Sequence, residues 1–174
     1  INFKRRLNKS KSFVKKLFYK IESTRLDNYE KQKFSNIKKI ILVADKENVL
    51  EKNTEIIPLG VDTNTFYPIK KISNRNIIFS GNMSYEPNAQ AIKWFIEECF
   101  GSIILKYSDA KLIIAGANPD DTIKKYENKN IFITGFVDSL SKILNESEVA
   151  IAPMQSGSGM QFKVLEAMAC GLPV

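Results

Sequence analysis

The 174-residue sequence contains no histidine and only two cysteines. Without histidine, these residues can form neither an imidazole-ligated metal site nor a mechanism that relies on an imidazole base. Cys99 and Cys170 are too few and too far apart for a disulfide framework or a zinc site. Both fall in helical patterns, so we expect them to pack in a core and expect the protein to be cytoplasmic.

Long apolar runs are also missing from the sequence. No run approaches the roughly 20 residues that a transmembrane helix needs, and the first residues do not show the continuous apolar stretch of a signal peptide. The chain begins at Ile1 and ends in Gly171-Leu172-Pro173-Val174, which is typical of a helix stop followed by a new strand. We therefore expect the sequence to be a piece of a longer protein.

The net charge of +7 is concentrated at one end of the chain. Residues 1–20 contain eight Lys or Arg and no acid, whereas the remaining 154 residues contain 18 bases and 19 acids. A nearly neutral bulk disfavours a nucleic-acid binder, and we expect no nucleic-acid partner. Apolar residues near one face predict an amphipathic helix: Phe3, Leu7, Val14, Leu17, Phe18 and Ile21. That helix either packs on other protein or lies on an anionic membrane surface, as a peripheral protein on the inner face.

Short apolar segments alternate with helical patterns along the rest of the chain. Strands are predicted at 37–43, 55–58, 77–80, 111–115, 131–134 and 149–152, and helices at 92–103, 121–126, 140–144 and 162–170. Asp138 is the predicted N-cap of the third helix. This alternation is typical of an α/β fold with a doubly wound parallel sheet. The segment 66–71 predicts a linker, which divides the chain into domains 1–66 and 67–174.

Three predicted strands end in glycine, at Gly81, Gly116 and Gly135, and the fourth leads into a turn that contains Gly157 and Gly159. Ligands of open α/β sheets bind beyond the carboxyl ends of the strands, where glycine allows close approach and helix N-termini offer N–H donors. The pattern favours a nucleotide or phosphate site over plain turn chemistry. It lacks the further glycines of the dinucleotide fingerprint and the lysine loop of nucleoside triphosphatases.

The helix 162–170 contains the densest set of candidate residues. Phe162, Leu165, Met168 and Ala169 are its predicted buried stripe, and Lys163 and Glu166 share another face at i and i+3. One interpretation is a solvated ion pair that stabilises the helix slightly. The other is a functional pair, in which Lys163 neutralises a diphosphate and the Glu166 carboxylate accepts hydrogen bonds from a ribose diol.

At these residues the chain resembles the retaining, two-domain (GT-B) glycosyltransferases of family 4. The similar stretches are 56–62, 78–83, 111–116 and 157–174, and the last is the most specific, with Lys-Val-Leu-Glu-Ala-Met-Ala-Cys-Gly-Leu-Pro-Val. The resemblance implies a Rossmann-like donor-binding domain, preceded by the tail of an acceptor-side domain. It implies transfer of a sugar from a nucleotide diphosphate sugar to a carbohydrate or lipid-linked acceptor, in cell-surface polysaccharide or glycolipid synthesis. It implies neither a metal nor another cofactor.

The resemblance also assigns roles to residues. Glu166 would hold the ribose hydroxyls and Lys163 would contact a phosphate. The other implied donor-binding residues are Gly81 and Asn82 for the diphosphate and sugar, Gly116 without a more specific role, the backbone around Phe136 and Val137 for the nucleobase, and the main-chain N–H groups of Gly157, Ser158, Gly159 and Met160 for the donor sugar and phosphates.

Two positions depart from the family pattern. Ser158 stands where many relatives have a glutamate that contacts the donor sugar, and Gln161 stands where near relatives often have arginine. Catalytic residues are expected largely in the missing domain, so we expect this chain alone to bind nucleotides weakly and not to turn over. A non-catalytic nucleotide-sugar binding module is the alternative.

Overall fold

The computed structural model describes residues 12–34, 36–43, 53–69, 74–156 and 161–174. The described residues divide into two compact units, with the boundary between Pro58 and Leu59. The domain boundary expected at 66/67 falls inside the second unit, and the division of the chain into an acceptor-side and a donor-binding domain stays a prediction.

The first unit contains one long helix and a small sheet. Helix α1 (Phe13–Phe34) continues through the polar stretch after Ile21, because Glu30, Lys31, Gln32 and Lys33 all have good helix propensity. The apolar side chains of its first turns are exposed: Phe13, Val14, Leu17, Phe18 and Ile21. Strands β1 (Ile40–Leu42) and β2 (Thr54–Ile56) pair in parallel.

The second unit is built on a four-stranded, all-parallel sheet with the order β5-β4-β3-β6. Its elements in chain order are β3 (Asn76–Ser80), α2 (Glu86–Phe95), a π-helical turn (Ile96–Phe100), α3 (Gly101–Lys106), β4 (Lys111–Ala115), α4 (Asp121–Lys124), β5 (Ile131–Gly135), α5 (Leu140–Asn145), β6 (Val149–Ala150) and α6 (Phe162–Ala169). The predicted α/β fold with a doubly wound parallel sheet is confirmed.

Both faces of this sheet are covered, because successive strand residues point to opposite sides. Phe79 and Leu112 belong to one buried cluster, together with Ile92 and Phe95 of α2 and Ile123 of α4. The second cluster contains the other strand face and the later helices: Ile78, Ala150, Leu144, Ala167, Cys170 and Leu172. The prediction that the cysteines pack in the core is confirmed, since Cys170 is buried and Cys99 packs against the first cluster.

Two local predictions are wrong. Ser139, rather than Asp138, is the N-cap of α5, because its hydroxyl accepts a hydrogen bond from the Lys142 N–H. The buried face of α6 also differs from the predicted stripe. Phe162 and Met168 are more than half exposed, whereas Ala167 and Cys170 are fully buried. The helix is therefore rotated so that Lys163 and Glu166, both partly buried, lie on the side of Ala167 and Cys170.

The segment that leads into the sheet is fixed to the second unit by a side chain. The Asn145 amide donates to the carbonyl oxygen of Tyr67 at 3.1 Å and accepts from the Ile69 N–H at 2.8 Å. Upstream, the Asp62 carboxylate accepts hydrogen bonds from the Asn64 N–H and the Thr65 hydroxyl. These bonds give the predicted linker residues 66–69 a defined path along the second unit.

Candidate functional site

The strand order places a topological switch point between β3 and β6. Strand β3 pairs with β4 on one side and with β6 on the other, so the chain winds away from β3 in two directions. In open α/β sheets the crevice beyond the carboxyl ends of such a strand pair is where ligands bind. The segments that leave this edge are 81–85, after β3, and 151–156, after β6.

Two of the predicted glycines pack backbone against backbone at this edge. Gly81 and Gly116 have φ angles of +154° and +149°, which side-chain-bearing residues rarely adopt. A Cβ atom on Gly116 would lie 1.8 Å from the carbonyl oxygen of Gly81. The Gly81 N–H donates to Ala115 O and the Gly116 N–H donates to Gly135 O, each at 2.9 Å. Only glycine at position 116 permits this close approach of the two loops.

Asn82 organises the loop that follows β3. Its side-chain oxygen accepts hydrogen bonds from the Ser84 N–H at 3.0 Å and the Ser84 hydroxyl at 2.8 Å, and from the Asn118 amide at 3.5 Å. The Met83 N–H donates to Ala117 O at 2.9 Å. The loops after β3 and β4 are therefore joined by both backbone and side-chain contacts, with Asn82 exposed at the edge.

Lys163 reaches from α6 to the switch point. Its Nζ donates to Asn88 Oδ1 at 2.8 Å, lies 3.9 Å from Met154 Sδ and is 4.0 Å from the centroid of the Phe79 ring. Phe79 belongs to β3, Asn88 to the helix that follows β3, and Met154 to the segment after β6. The ammonium group thus lies between the two segments that leave the switch point.

The structure bears on one of the two interpretations of Lys163 and Glu166, the direct ion pair. Among the described residues, the ion pairs within 4.0 Å do not include this pair, so the solvated ion pair is not observed. Burial lowers the pKa of Lys163 to about 8, although the nearby charge of Glu166 opposes this effect. Burial also raises the pKa of Glu166, and Lys163 opposes that shift. Both charges are therefore held partly away from water without a direct contact.

The remaining predicted residues are distributed along the same edge. Phe136 follows Gly135 at the end of β5 and is 78% exposed, while Val137 beside it is partly buried. Gly157, Ser158, Gly159 and Met160 lie outside the described residues, so their predicted roles stay predictions. At this edge Gly81 packs against Gly116, Asn82 follows Gly81 in the same loop, and the Lys163 ammonium lies next to Gly81.

The part of the chain that the structure describes contains no cluster of three or more acidic or cysteine side chains that could hold a metal ion. Within those same ranges, no helix has the length and apolar character needed to cross a membrane.

Asn88, Phe79 and Met154 complete the surroundings of Lys163, but sequence reasoning missed all three. Asn88 carried a usable signal, because it lies one turn before Ile92 on the inward face of α2 and is only 7% exposed. A polar residue on an otherwise apolar stripe needs a buried hydrogen-bonding partner. The other two read as ordinary core residues in the sequence.

The comparisons with known proteins identify the family of the chain. A family model described as "Glycosyl transferases group 1" matches residues 74–174, more than half of the chain. The chain is 25% identical over 181 residues to an uncharacterised 44.6 kDa protein in the cps region of Klebsiella pneumoniae, and the match covers 97% of this chain and 46% of that protein. The chain thus spans about half the length of this curated relative.

A second relative and a solved structure extend the comparison. The chain is 28% identical over 137 residues to a GDP-mannose-dependent alpha-(1-6)-phosphatidylinositol dimannoside mannosyltransferase of Mycobacterium tuberculosis, with 70% of this chain and 34% of that protein covered. The crystal structure of TarM has the same fold, with a TM-score of 0.68 at 17% identity, over 84% of this chain and 31% of that one. Because the family model matches more than half of the chain, the chain belongs to the group 1 glycosyl transferases.

Proposed function

We propose that the chain forms the donor-binding part of a glycosyltransferase that moves a sugar from a nucleotide diphosphate sugar to a carbohydrate or lipid-linked acceptor. The observation that carries the proposal is the position of Lys163. Its ammonium lies at the switch point of the sheet, between the segments after β3 and β6, and α6 places a carboxylate one turn further on. A cation and an acceptor so arranged match a diphosphate and a ribose diol.

Each group has a chemical task in this proposal. Lys163 would neutralise part of the diphosphate charge, which develops further as the nucleotide leaves. Glu166 would accept hydrogen bonds from the two ribose hydroxyls. Gly81 presents no side chain beside the Lys163 ammonium, since a Cβ atom there would lie 3.1 Å from Lys163 Nζ. The exposed ring of Phe136 would stack on the nucleobase.

The finer features of the reaction belong to the same proposal. We propose transfer with retention of anomeric configuration and without a metal ion, with the phosphate charge met by Lys163 and by main-chain N–H groups. Activity that persists in excess EDTA would support metal independence, and activity restored only by a divalent cation would overturn it. The anomeric configuration of the product is read directly by NMR.

We further propose a role in the synthesis of a cell-surface polysaccharide or glycolipid. The Klebsiella relative is described as lying in a cps region, and the mycobacterial relative's name includes both GDP-mannose and phosphatidylinositol dimannoside. These names support GDP-mannose as the first donor to test and a glycolipid as the first acceptor. Transfer to soluble oligosaccharides alone would contradict the lipid-linked alternative.

The central experiment is a thermal-shift screen of UDP-, GDP- and ADP-sugars on the full-length protein and on Glu166→Ala. A ligand that binds the native state stabilises it by mass action, so we expect one nucleotide class to raise the melting temperature of the wild type. Glu166→Ala should abolish that rise. Glu148→Ala is the matched control, because Glu148 is exposed and its N–H bonds to Asn76 at the opposite edge of the sheet. A shift that survives in Glu166→Ala would remove Glu166 from the donor site.

We propose a cytoplasmic location with peripheral contact to the inner face of the membrane. Support comes from α1, where Phe13, Val14 and Leu17 are exposed on one side and Lys15 and Lys16 lie on the other. Co-sedimentation with vesicles that contain anionic lipid should fall when the Lys and Arg residues at positions 4–20 are changed to Ala. Equal binding of the two proteins would contradict the membrane contact.

A further inference from the structure

Asn88 is a buried polar side chain between two parts of the candidate site. It lies in the first turn of α2, directly after Pro87, and is 7% exposed. Its Oδ1 accepts a hydrogen bond from Lys163 Nζ at 2.8 Å, and its Nδ2 donates to the carbonyl oxygen of Asn82 at 2.9 Å. One amide therefore joins the ammonium of α6 to the glycine loop that follows β3.

The chemistry of the two partners explains why an amide is needed at this position. A lysine ammonium only donates hydrogen bonds and a main-chain carbonyl only accepts them. A side chain between them must offer one acceptor and one donor, and this requirement also fixes the orientation of the Asn88 amide. An aspartate would lack the donor and would add negative charge near the anion. A leucine of similar size would offer neither group.

Asn88 is the oxygen partner of Lys163 in the part of the chain that the structure describes. The other close neighbours of the ammonium are the Phe79 ring and the Met154 sulfur, which are weakly polar. Among the described residues, the charged group that acts on it is Glu166, on its own helix. Because a partly buried ammonium needs hydrogen-bond acceptors to remain charged, the Asn88 oxygen stabilises both its position and its protonation.

The glycine loop also depends on Asn88. A Cβ atom on Gly81 would lie 2.7 Å from Asn88 Nδ2 and 3.1 Å from Lys163 Nζ. The amide, the ammonium and the loop backbone are therefore packed in direct contact. A substitution of Asn88 would therefore displace both the Lys163 ammonium and the Asn82 loop, which the proposed function places around the diphosphate.

We propose that Asn88 is a positioning residue for donor binding, which holds the Lys163 ammonium and the Asn82 loop in the arrangement that receives the diphosphate. The inference rests on the proposed function, because it assumes that Lys163 meets a diphosphate. Asn88 itself acts through Lys163 and Asn82.

The first test needs no ligand. The titration of Lys163 is followed in the full-length protein by NMR of ¹³C-labelled lysine, in the wild type, Asn88→Leu and Asn88→Asp. Asn88→Leu removes the acceptor, so the pKa of Lys163 should fall. Asn88→Asp replaces it with a carboxylate, so the pKa should rise. A merely structural role would not move the pKa in opposite directions, and equal titration in all three proteins would overturn the proposal.

The second test measures affinity by calorimetry for UDP, GDP and ADP and for the corresponding nucleosides. Both variants should weaken binding of the preferred nucleoside diphosphate about tenfold or more, since a charge-assisted contact is misplaced, while nucleoside binding should change little. The alkaline limb of the pH profile should move down in Asn88→Leu and up in Asn88→Asp. Gln90→Leu, an exposed amide on the same helix that bonds to Glu86, is the matched control and should behave as the wild type.

The two tests separate the possible failures. If the wild type binds none of the three nucleoside diphosphates, the proposed function fails and the positioning role fails with it. If the wild type binds one of them and both variants match its affinity and its pH profile, only the role of Asn88 is overturned. Circular dichroism of each variant identifies one that has not folded, and the other variant then decides.

Discussion

The contact between the first two glycine loops makes a quantitative prediction for Gly116→Ala. The added Cβ would lie 1.8 Å from Gly81 O, whereas a relaxed C···O contact is about 3.3–3.6 Å, so the loops must separate by roughly 1.5 Å. Two further features add to the energetic cost of the substitution. The φ angle of +149° is strained for alanine, and the hydrogen bond from Gly81 N–H to Ala115 O ties the same two strand ends.

These effects set the expected magnitude. Backbone strain of this kind costs about 1–3 kcal/mol and overpacking costs about 1–3 kcal/mol, so we expect Gly116→Ala to destabilise the protein by about 2–6 kcal/mol. At about 2–4 °C per kcal/mol for a chain of this size, the melting temperature should fall by roughly 10 °C. Nucleotide binding should be lost as well, because the loop after β3 is displaced.

Thermal unfolding followed by the fluorescence of Trp94, the single tryptophan of the sequence, measures the effect in the unit that contains Gly116. Gly101→Ala is the matched control. Gly101 has ordinary helical angles, and a Cβ there meets nothing within 4 Å, so this variant should gain about 0.5–1 kcal/mol. Equal melting temperatures for Gly116→Ala and the wild type would refute the close packing of the two loops.

Two further predictions concern the same edge. Gly81→Ala directs its methyl group at the Asn88 and Lys163 side chains, and its φ angle of +154° adds backbone strain. Thermal unfolding should therefore show a loss of stability, and calorimetry of the folded variant should show a loss of diphosphate affinity of about tenfold or more; an unchanged affinity would contradict this. Because the pKa of Lys163 is lowered to about 8, the lysine loses its charge above that pH, and diphosphate affinity should decline between pH 8 and 10. A bound diphosphate favours the charged form, so binding near pH 8 should take up protons, which calorimetry in buffers of different ionisation enthalpy detects; a flat profile would contradict the role of Lys163.

Much of the fold follows from local patterns. The strands at 77–80 and 111–115 and the helical stripe through Ile92 and Phe95 appear in the structure as the sequence predicts, because a buried parallel strand and an amphipathic helix each leave a short-range signature. The N-cap residue of a helix is harder to predict from the sequence. Asp138 and Ser139 are both good N-cap residues, and the backbone path of the chain selects Ser139.

Some features of the candidate site could be predicted from the sequence and others could not. The sequence predicted Gly81, Gly116, Lys163 and Glu166, since glycine at strand ends and a cation beside an anion-binding turn are recognisable in one dimension. The rotation of α6 could not be predicted, because Phe162 and Met168 match a buried stripe as well as Ala167 does. Packing against Cys170 and Leu172 determines which side faces inward.

The sequence by itself therefore determined the fold class, the sheet edge that carries the site and the residue types available there. Only the tertiary structure decided that Lys163 meets Asn88 and the Phe79 ring instead of pairing with Glu166. The physical reason is that these partners are 75 and 84 residues away from Lys163 in the chain, and they meet only because β6 pairs with β3. The spacing of residues along a helix predicts contacts within that helix only, whereas the environment of a buried charge depends on the elements packed around it.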